Sequence, residues 1–492
     1  MSSGIGPSSM ARPIRMIKRT ATSIRGERGH LLLLVLVAEI ALGVVLGLRS
    51  TTSPQAYDAN AYGSEALAFA SGDGSWLAGA HNYLYPAFLA ALHALGIWSR
   101  LGVGIVQIAL LYLASLALVT VLSRCLRTRF VSAGIVICGV AIVPAAAWSG
   151  YWLSESLAAP VLLLVIALWV LTCYRVLLHP GSMSTAAIIF GLGLASGSAW
   201  MTRPALIWVP VAVGLLAGLM VLASMLLLGT RHHDSGAQPP SSLRAVSLIA
   251  AFLFGVALSL VPQLAFDGNI SHLLKLTLAG GQAQASSTIW RYSTNMSTCG
   301  PAPLGFSPLS SDMGPIWSGK IVAPDSVLWT LTASVAHLVS GWDPRPSPNY
   351  ATSLADSPWI FVTWVSGFVC AAPLFVTSRL AAEIRSIWAK WRAREAVAID
   401  VPRVAFAASV TGLLVLFGAT QFELMKTMTE FRFNLLGWLS AGGCLVFLMA
   451  SGWLPRNRLA LYVAVAMTIS VAFVVIGSMT LDYSTYWLKC SQ

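Results

Sequence analysis

Eleven stretches of this sequence are apolar for about 20 residues each, near 31–49, 101–123, 130–148, 155–174, 184–202, 205–228, 246–265, 358–378, 404–422, 434–453 and 459–480. A helix needs about 20 such residues to cross about 30 Å of hydrocarbon, so each stretch has the length of a membrane span. Composition agrees: 57% of residues are hydrophobic and 10% charged, against roughly 25% charged in soluble domains. The mean hydropathy is +0.75. The expected fold class is therefore an all-α polytopic membrane protein of about 11 transmembrane helices.

The charges test that layout independently, because cytoplasmic loops carry an excess of Lys and Arg. With the N-terminus in the cytoplasm, 20 of the 30 basic residues fall on that side. They lie in 1–30, in 124–129, at Arg175, Arg231 and Arg244, in 379–403, and at Arg456 and Arg458. The opposite side keeps 10 basic residues against 12 acids, Asp58, Glu65 and Glu155 among them, a net charge of −2. The formal +12 is thus a topology signal, and a nucleic-acid partner, which would want basic residues gathered on one soluble face, is not indicated. The basic N-terminus followed by Leu31–Leu34 opens an apolar core longer than the 7 to 15 residues of a secretory signal, and reads as an uncleaved anchor. Alanine, arginine and tryptophan usage fits a GC-rich bacterium, which places the chain in the inner membrane with its C-terminus outside.

The resulting division is a cytoplasmic basic N-terminus (1–30), an N-terminal transmembrane module (31–265) with a first external loop at 50–100, a large external loop (266–357), C-terminal transmembrane helices (358–480) and an external tail (481–492). Neither loop is long or apolar enough for a core of its own, so both are expected to pack on the bundle. Residues 61–70 and the segment Tyr85–Leu95 have helical spacing but are too short to span, and read as interfacial helices. Prolines 301, 303, 308, 315, 324, 344, 346 and 348 break the second loop. Its run from Val327 to Leu338 is either a third interfacial helix or a twelfth span, and the six basic residues of 379–403 argue against the span.

No P-loop, CxxC or HExxH pattern occurs, so no cofactor is announced; a divalent cation is left open, with Asp58 and Glu155 as its ligands if one is used. Cys299 and Cys490 are the two cysteines on the oxidising side. What stands out is an acid just past the first span, Asp58 with Tyr62 behind it, followed by His81-Asn-Tyr-Leu-Tyr-Pro86. Further on, Ser154-Glu155-Ser-Leu157 opens the fourth span and Gly191-Leu-Gly-Leu-Ala-Ser-Gly leads into Thr202-Arg203-Pro204. Glu430-Phe-Arg432-Phe-Asn434 opens a late span.

In that order these elements resemble the GT-C superfamily of integral membrane glycosyltransferases, which includes protein O-mannosyltransferases and the aminoarabinose transferases of lipid A. The resemblance covers most of the first 230 residues and the late segment, where Leu435 and Leu436 follow in place of the family's usual closing proline. It implies a polyprenyl-phosphate-sugar donor, a cell-envelope glycan, lipid or protein as acceptor, and Asp58 as the catalytic position.

Sugar transfer from such a donor needs a base for the acceptor hydroxyl and cations for the phosphate left behind. Asp58 is the expected base, and a single displacement would invert the anomeric centre. Glu155 either binds sugar or acceptor hydroxyls or caps its helix. Arg203 reaches a lipid phosphate or snorkels to the interface; Arg432 reaches the same phosphate or pairs with Glu430, and Lys426 is a weaker candidate of that kind. His81 bonds sugar or phosphate oxygens or is a solvated loop residue, and Tyr62 and Tyr85 complete the substrate-binding set. Asp343 and Tyr350 bracket a turn that would serve as an acceptor lid. Glu39, inside span one, is expected to face the bundle. Trp76, Trp148, Trp152, Trp200 and Trp290 sit near the external boundary, where an aromatic belt accounts for most of them. Two other classes stay open. A polysaccharide polymerase or ligase would also use external loops with arginines, and a secondary transporter would carry repeat symmetry and midplane charges that this chain does not display.

Overall fold

The computed structural model describes residues 27–52, 57–73, 81–125, 130–146, 148–178, 182–235, 242–267, 358–392, 401–424, 434–450 and 458–472. Among these there is no strand, and the chain is an all-α polytopic membrane protein. The helices are α1 (Glu27–Ser50), α2 (Tyr57–Ser71), α3 (Leu84–Ala94), α4 (Arg100–Cys125), and α5 (Phe130–Ile137), which runs through a π-helical turn (Cys138–Ile142) into α6 (Val143–Ala146). Then come α7 (Ser154–Leu178), α8 (Met183–Thr202), a 3-10 turn (Pro204–Ile207), α9 (Trp208–Ser235), α10 (Ser242–Asp267), α11 (Pro358–Arg392), α12 (Val401–Leu424), α13 (Leu435–Ala450) and α14 (Arg458–Ala472).

Among the described residues eight helices are long and apolar enough to cross a membrane: α1, α4, α7, α8, α9, α10, α11 and α12. The expected spans at 130–148, 434–453 and 459–480 are helical too, but the first is interrupted by the π turn and the other two are described over shorter stretches. Glu39 lies against that π turn: a Cβ on Gly139 would sit 3.0 Å from its Oε1. This is the bundle-facing position expected of an intramembrane carboxyl. The large loop, the segment Val327–Leu338, Asp343, Tyr350, Cys299, Cys490 and the external tail lie outside the described residues.

The buried core centres on α7, whose Trp169 is 2% exposed and which packs against α4, α8 and α12. The outward faces of α4, α9 and α10 keep large apolar side chains such as Leu113, Leu215 and Phe254 exposed, as suits a surface meeting lipid.

The two short helices expected in the first loop are present as α2 and α3. Each stops at a glycine in the left-handed region, Gly72 (φ 73°) and Gly96 (φ 76°). The next residue's N–H reaches back five positions, from Asp73 to Ala68 and from Ile97 to Leu92, which satisfies carbonyls the helix leaves over. Pro86 fits the first turn of α3, where its missing N–H costs nothing. The helices pack on each other and bury Ala66, Tyr85 and Leu89 completely.

Candidate functional site

One end of the bundle gathers most of the residues singled out in the sequence. It is the end where α1, α8 and α10 finish and α4 and α7 begin. Ser50 ties it together, donating from α1 to Gly47, accepting from the Gly150 N–H at 2.7 Å and, through its carbonyl, from Arg100 Nη2.

Arg203 is placed by its successor. Proline disfavours helical backbone in the residue before it, so Arg203, ahead of Pro204, leaves α8 with an extended backbone (φ −154°, ψ 124°). Its Nη1 then donates to Glu155 Oε1 at 2.8 Å, in the first turn of α7. The side chains are 11% and 5% exposed, a buried ion pair. Glu155 Oε2 accepts from Ser154 Oγ at 3.3 Å, and Ser154 Oγ accepts from Tyr62 Oη at 3.0 Å. A continuous chain of groups therefore runs from α8 through α7 to α2.

Tyr62 is also the hub for the aromatic groups. His81 lies over it with ring centroids 4.0 Å apart, and Tyr85 meets it edge-on at 4.9 Å. Burial pushes the Tyr85 phenol well above its usual range, with Tyr62 and Glu155 adding to the rise, while the Gln107 amide that donates to its oxygen at 2.8 Å works the other way. Tyr85 is therefore a neutral hydrogen-bonding group, not a base. The loop leading into α3 is pinned from the bundle side: Asn82 Nδ2 donates to the Trp200 carbonyl at 2.6 Å, the Tyr83 N–H to Gln263 Oε1, and Tyr83 Oη to the Ser259 carbonyl.

Of the eight expected site residues, the structure thus brings together Tyr62, His81, Tyr85, Glu155 and Arg203. Asp58 stands in the first turn of α2, and positions 58, 62 and 65 follow one helical stripe; the side chain of Asp58 lies outside the described part, as do Lys426 and Arg432. Sequence reasoning passed over Glu65, which bonds His81 Nδ1 at 2.8 Å, and Gln107 and Asn82, both fully buried. The seven-residue spacing from Asp58 could have exposed Glu65; polar residues satisfied across the fold leave no such trace. Of the five tryptophans set near the boundary, Trp148 and Trp200 are 4% and 7% exposed and face the protein interior, while Trp76 and Trp290 lie outside the described residues. Among the described residues no group of three His, Cys, Asp or Glu side chains could hold a metal ion. Glu155 has one oxygen on the Arg203 guanidinium and the other on the Ser154 hydroxyl, and the side chain of Asp58, its partner in the cation reading, lies outside the described part.

The phenol that holds this chain together has a measurable weight. Tyr62→Phe is expected to lower stability by about 1 kcal/mol, the usual loss for one hydrogen bond removed without a cavity. Thermal unfolding of the purified protein in detergent checks it, and an unchanged midpoint would mean the bond is not formed in solution.

No protein-family model and no curated protein matches the chain. Among solved structures, it is similar to the archaeal oligosaccharyltransferase AglB from Archaeoglobus fulgidus in complex with an inhibitory peptide and a dolichol-phosphate, with 12% identity, a TM-score of 0.42, and 94% of this chain and 56% of that one covered. It is also similar to the apo oligosaccharyltransferase from Archaeoglobus fulgidus, with 14% identity, a TM-score of 0.41, and 94% and 55% covered. The chain spans about half the length of these proteins, and an overlap at that TM-score is too loose to assign an activity.

Proposed function

We propose that this end of the bundle is the transfer site of a GT-C-type glycosyltransferase, moving a sugar from a polyprenyl-phosphate donor to a cell-envelope acceptor on the external face of the membrane. The observation that carries this reading is the meeting of Tyr62, His81, Tyr85, Glu155 and Arg203, drawn from four separate stretches of sequence, at one end of an otherwise apolar bundle. All four stretches, with Asp58 at the head of the first, are elements of the GT-C resemblance, and the charge asymmetry of the loops supports an outward position for that end.

In this reading Asp58 takes the proton of the acceptor hydroxyl as the acceptor oxygen attacks the anomeric carbon opposite the phosphate, so the centre inverts. Tyr62, Ser154 and Glu155 form the hydrogen-bonded wall beside it. The prenyl tail lies in the bilayer, and a glycan, lipid or protein acceptor arrives from the outer side.

The test is transfer of labelled sugar from membrane-extracted polyprenyl-phosphate donors to envelope acceptors, with the natural protein and Asp58→Asn at equal expression. Loss of a general base predicts a fall of about 10² to 10⁴ in rate. Transfer that survives the substitution removes Asp58 from the mechanism, and absence of transfer by the natural protein overturns the donor class.

A further inference from the structure

We propose that His81, held by Glu65, receives the phosphate of the lipid-linked donor, Glu65 being the positioning residue that aims the imidazole. This rests on the transfer reading above. In that reaction the bond between the anomeric carbon and the phosphate oxygen breaks and its electron pair stays with the phosphate, which passes from monoanion to dianion. The acceptor oxygen forms the new bond, and its proton goes to Asp58. A donor group aimed at the departing phosphate therefore meets charge that grows through the step, where stabilisation is most effective.

Arg203 is the expected cation, but its Nη1 is bound to Glu155 within a buried pair. Part of the guanidinium's charge is therefore already matched by that carboxylate before any phosphate arrives. His81 is placed differently. Its side chain is 23% exposed, its Nδ1 is 2.8 Å from Glu65 Oε1, and its Nε2 has no hydrogen-bond partner among the described residues. The Glu65 side chain is 10% exposed and its Oε2 is buried with no hydrogen-bond partner among the described residues, so its compensation rests on the imidazole. The carboxylate fixes which nitrogen turns inward, and the Tyr62 ring, tilted against the imidazole at 38°, restrains it, so Nε2 on the opposite side of the ring is the nitrogen left for the phosphate.

The groups around the ring are Glu65 and Tyr62 from α2 and, packed edge-on against Tyr62, Tyr85 from α3. Glu155 and Arg203 stand beyond Tyr62 through Ser154.

The experiment is equilibrium binding of undecaprenyl phosphate, the leaving group itself, to the full-length protein in detergent. The proteins are the natural one, His81→Asn, Glu65→Gln and, as a control, His93→Asn, whose ring packs on Trp98 away from the cluster. Expected are a loss of about tenfold in His81→Asn, a smaller loss in Glu65→Gln, and no change in the control. Inorganic phosphate should compete with the lipid for the natural protein but not for His81→Asn, which separates headgroup recognition from tail binding. Should His81→Asn not yield a monodisperse protein, Glu65→Gln, equal in size, carries the comparison. Unchanged affinity in both variants overturns the inference while leaving the transfer reading intact. Failure of the natural protein to bind the lipid overturns both.

Discussion

Arg203→Met is expected to destabilise the protein by about 3 to 5 kcal/mol, because it leaves the Glu155 carboxylate buried beside an apolar side chain. Glu155→Gln should be milder, since the amide oxygen still accepts from Arg203 and the partner left charged is the more exposed of the two, at 11%. The double variant is the decisive protein. If the ion pair acts as a unit, it will be more stable than the two single losses added together, because neither side is then left as an uncompensated charge. Denaturant titration of the detergent-solubilised proteins measures all three. Strict additivity would show that the 2.8 Å contact carries no coupling, and Arg203 would return as a free candidate for the donor phosphate.

This pair also marks how far the sequence was legible. Membrane class, the helical spans and the two short helices between the first two spans follow from apolar run length and from spacing, which are local properties that each segment carries alone. Pro204 even announces that α8 must end at Arg203. What Arg203 touches was not legible, because Glu155 lies 48 residues away and the contact is made by the meeting of α7 and α8. The same holds for Glu65 and His81, joined only because α2 and the lead into α3 fold onto one bundle end. Which way Trp148 and Trp200 face was illegible for the converse reason. An indole near a membrane boundary has the same sequence signature whether it faces headgroups or the protein, and here packing decides.

The glycines of 191–197 entered as part of a family-like pattern, and the structure gives them a physical task. Gly193 lies so near α10 that a Cβ there would fall 2.1 Å from the Phe252 carbonyl oxygen and 3.1 Å from its Cα. Backbone cannot rotate away as a side chain can, so Gly193→Val is expected to force α8 and α10 apart at a cost of about 3 kcal/mol, the upper end for overpacking. At Gly197, one turn on, the clashing atom is Ser259 Oγ; a hydroxyl can change rotamer, so Gly197→Ala should lose less. Gly218 on α9 has nothing within 4 Å, and Gly218→Ala should leave stability unchanged or raise it slightly through helix propensity. The consequence reaches the site, because α10 holds the loop beside His81 through the Ser259 carbonyl and Gln263. Thermal unfolding of the three variants should therefore rank Gly193→Val lowest, and binding of undecaprenyl phosphate should weaken in that variant alone. A Gly193→Val protein that melts with the natural one would mean that α8 and α10 are not in contact as described.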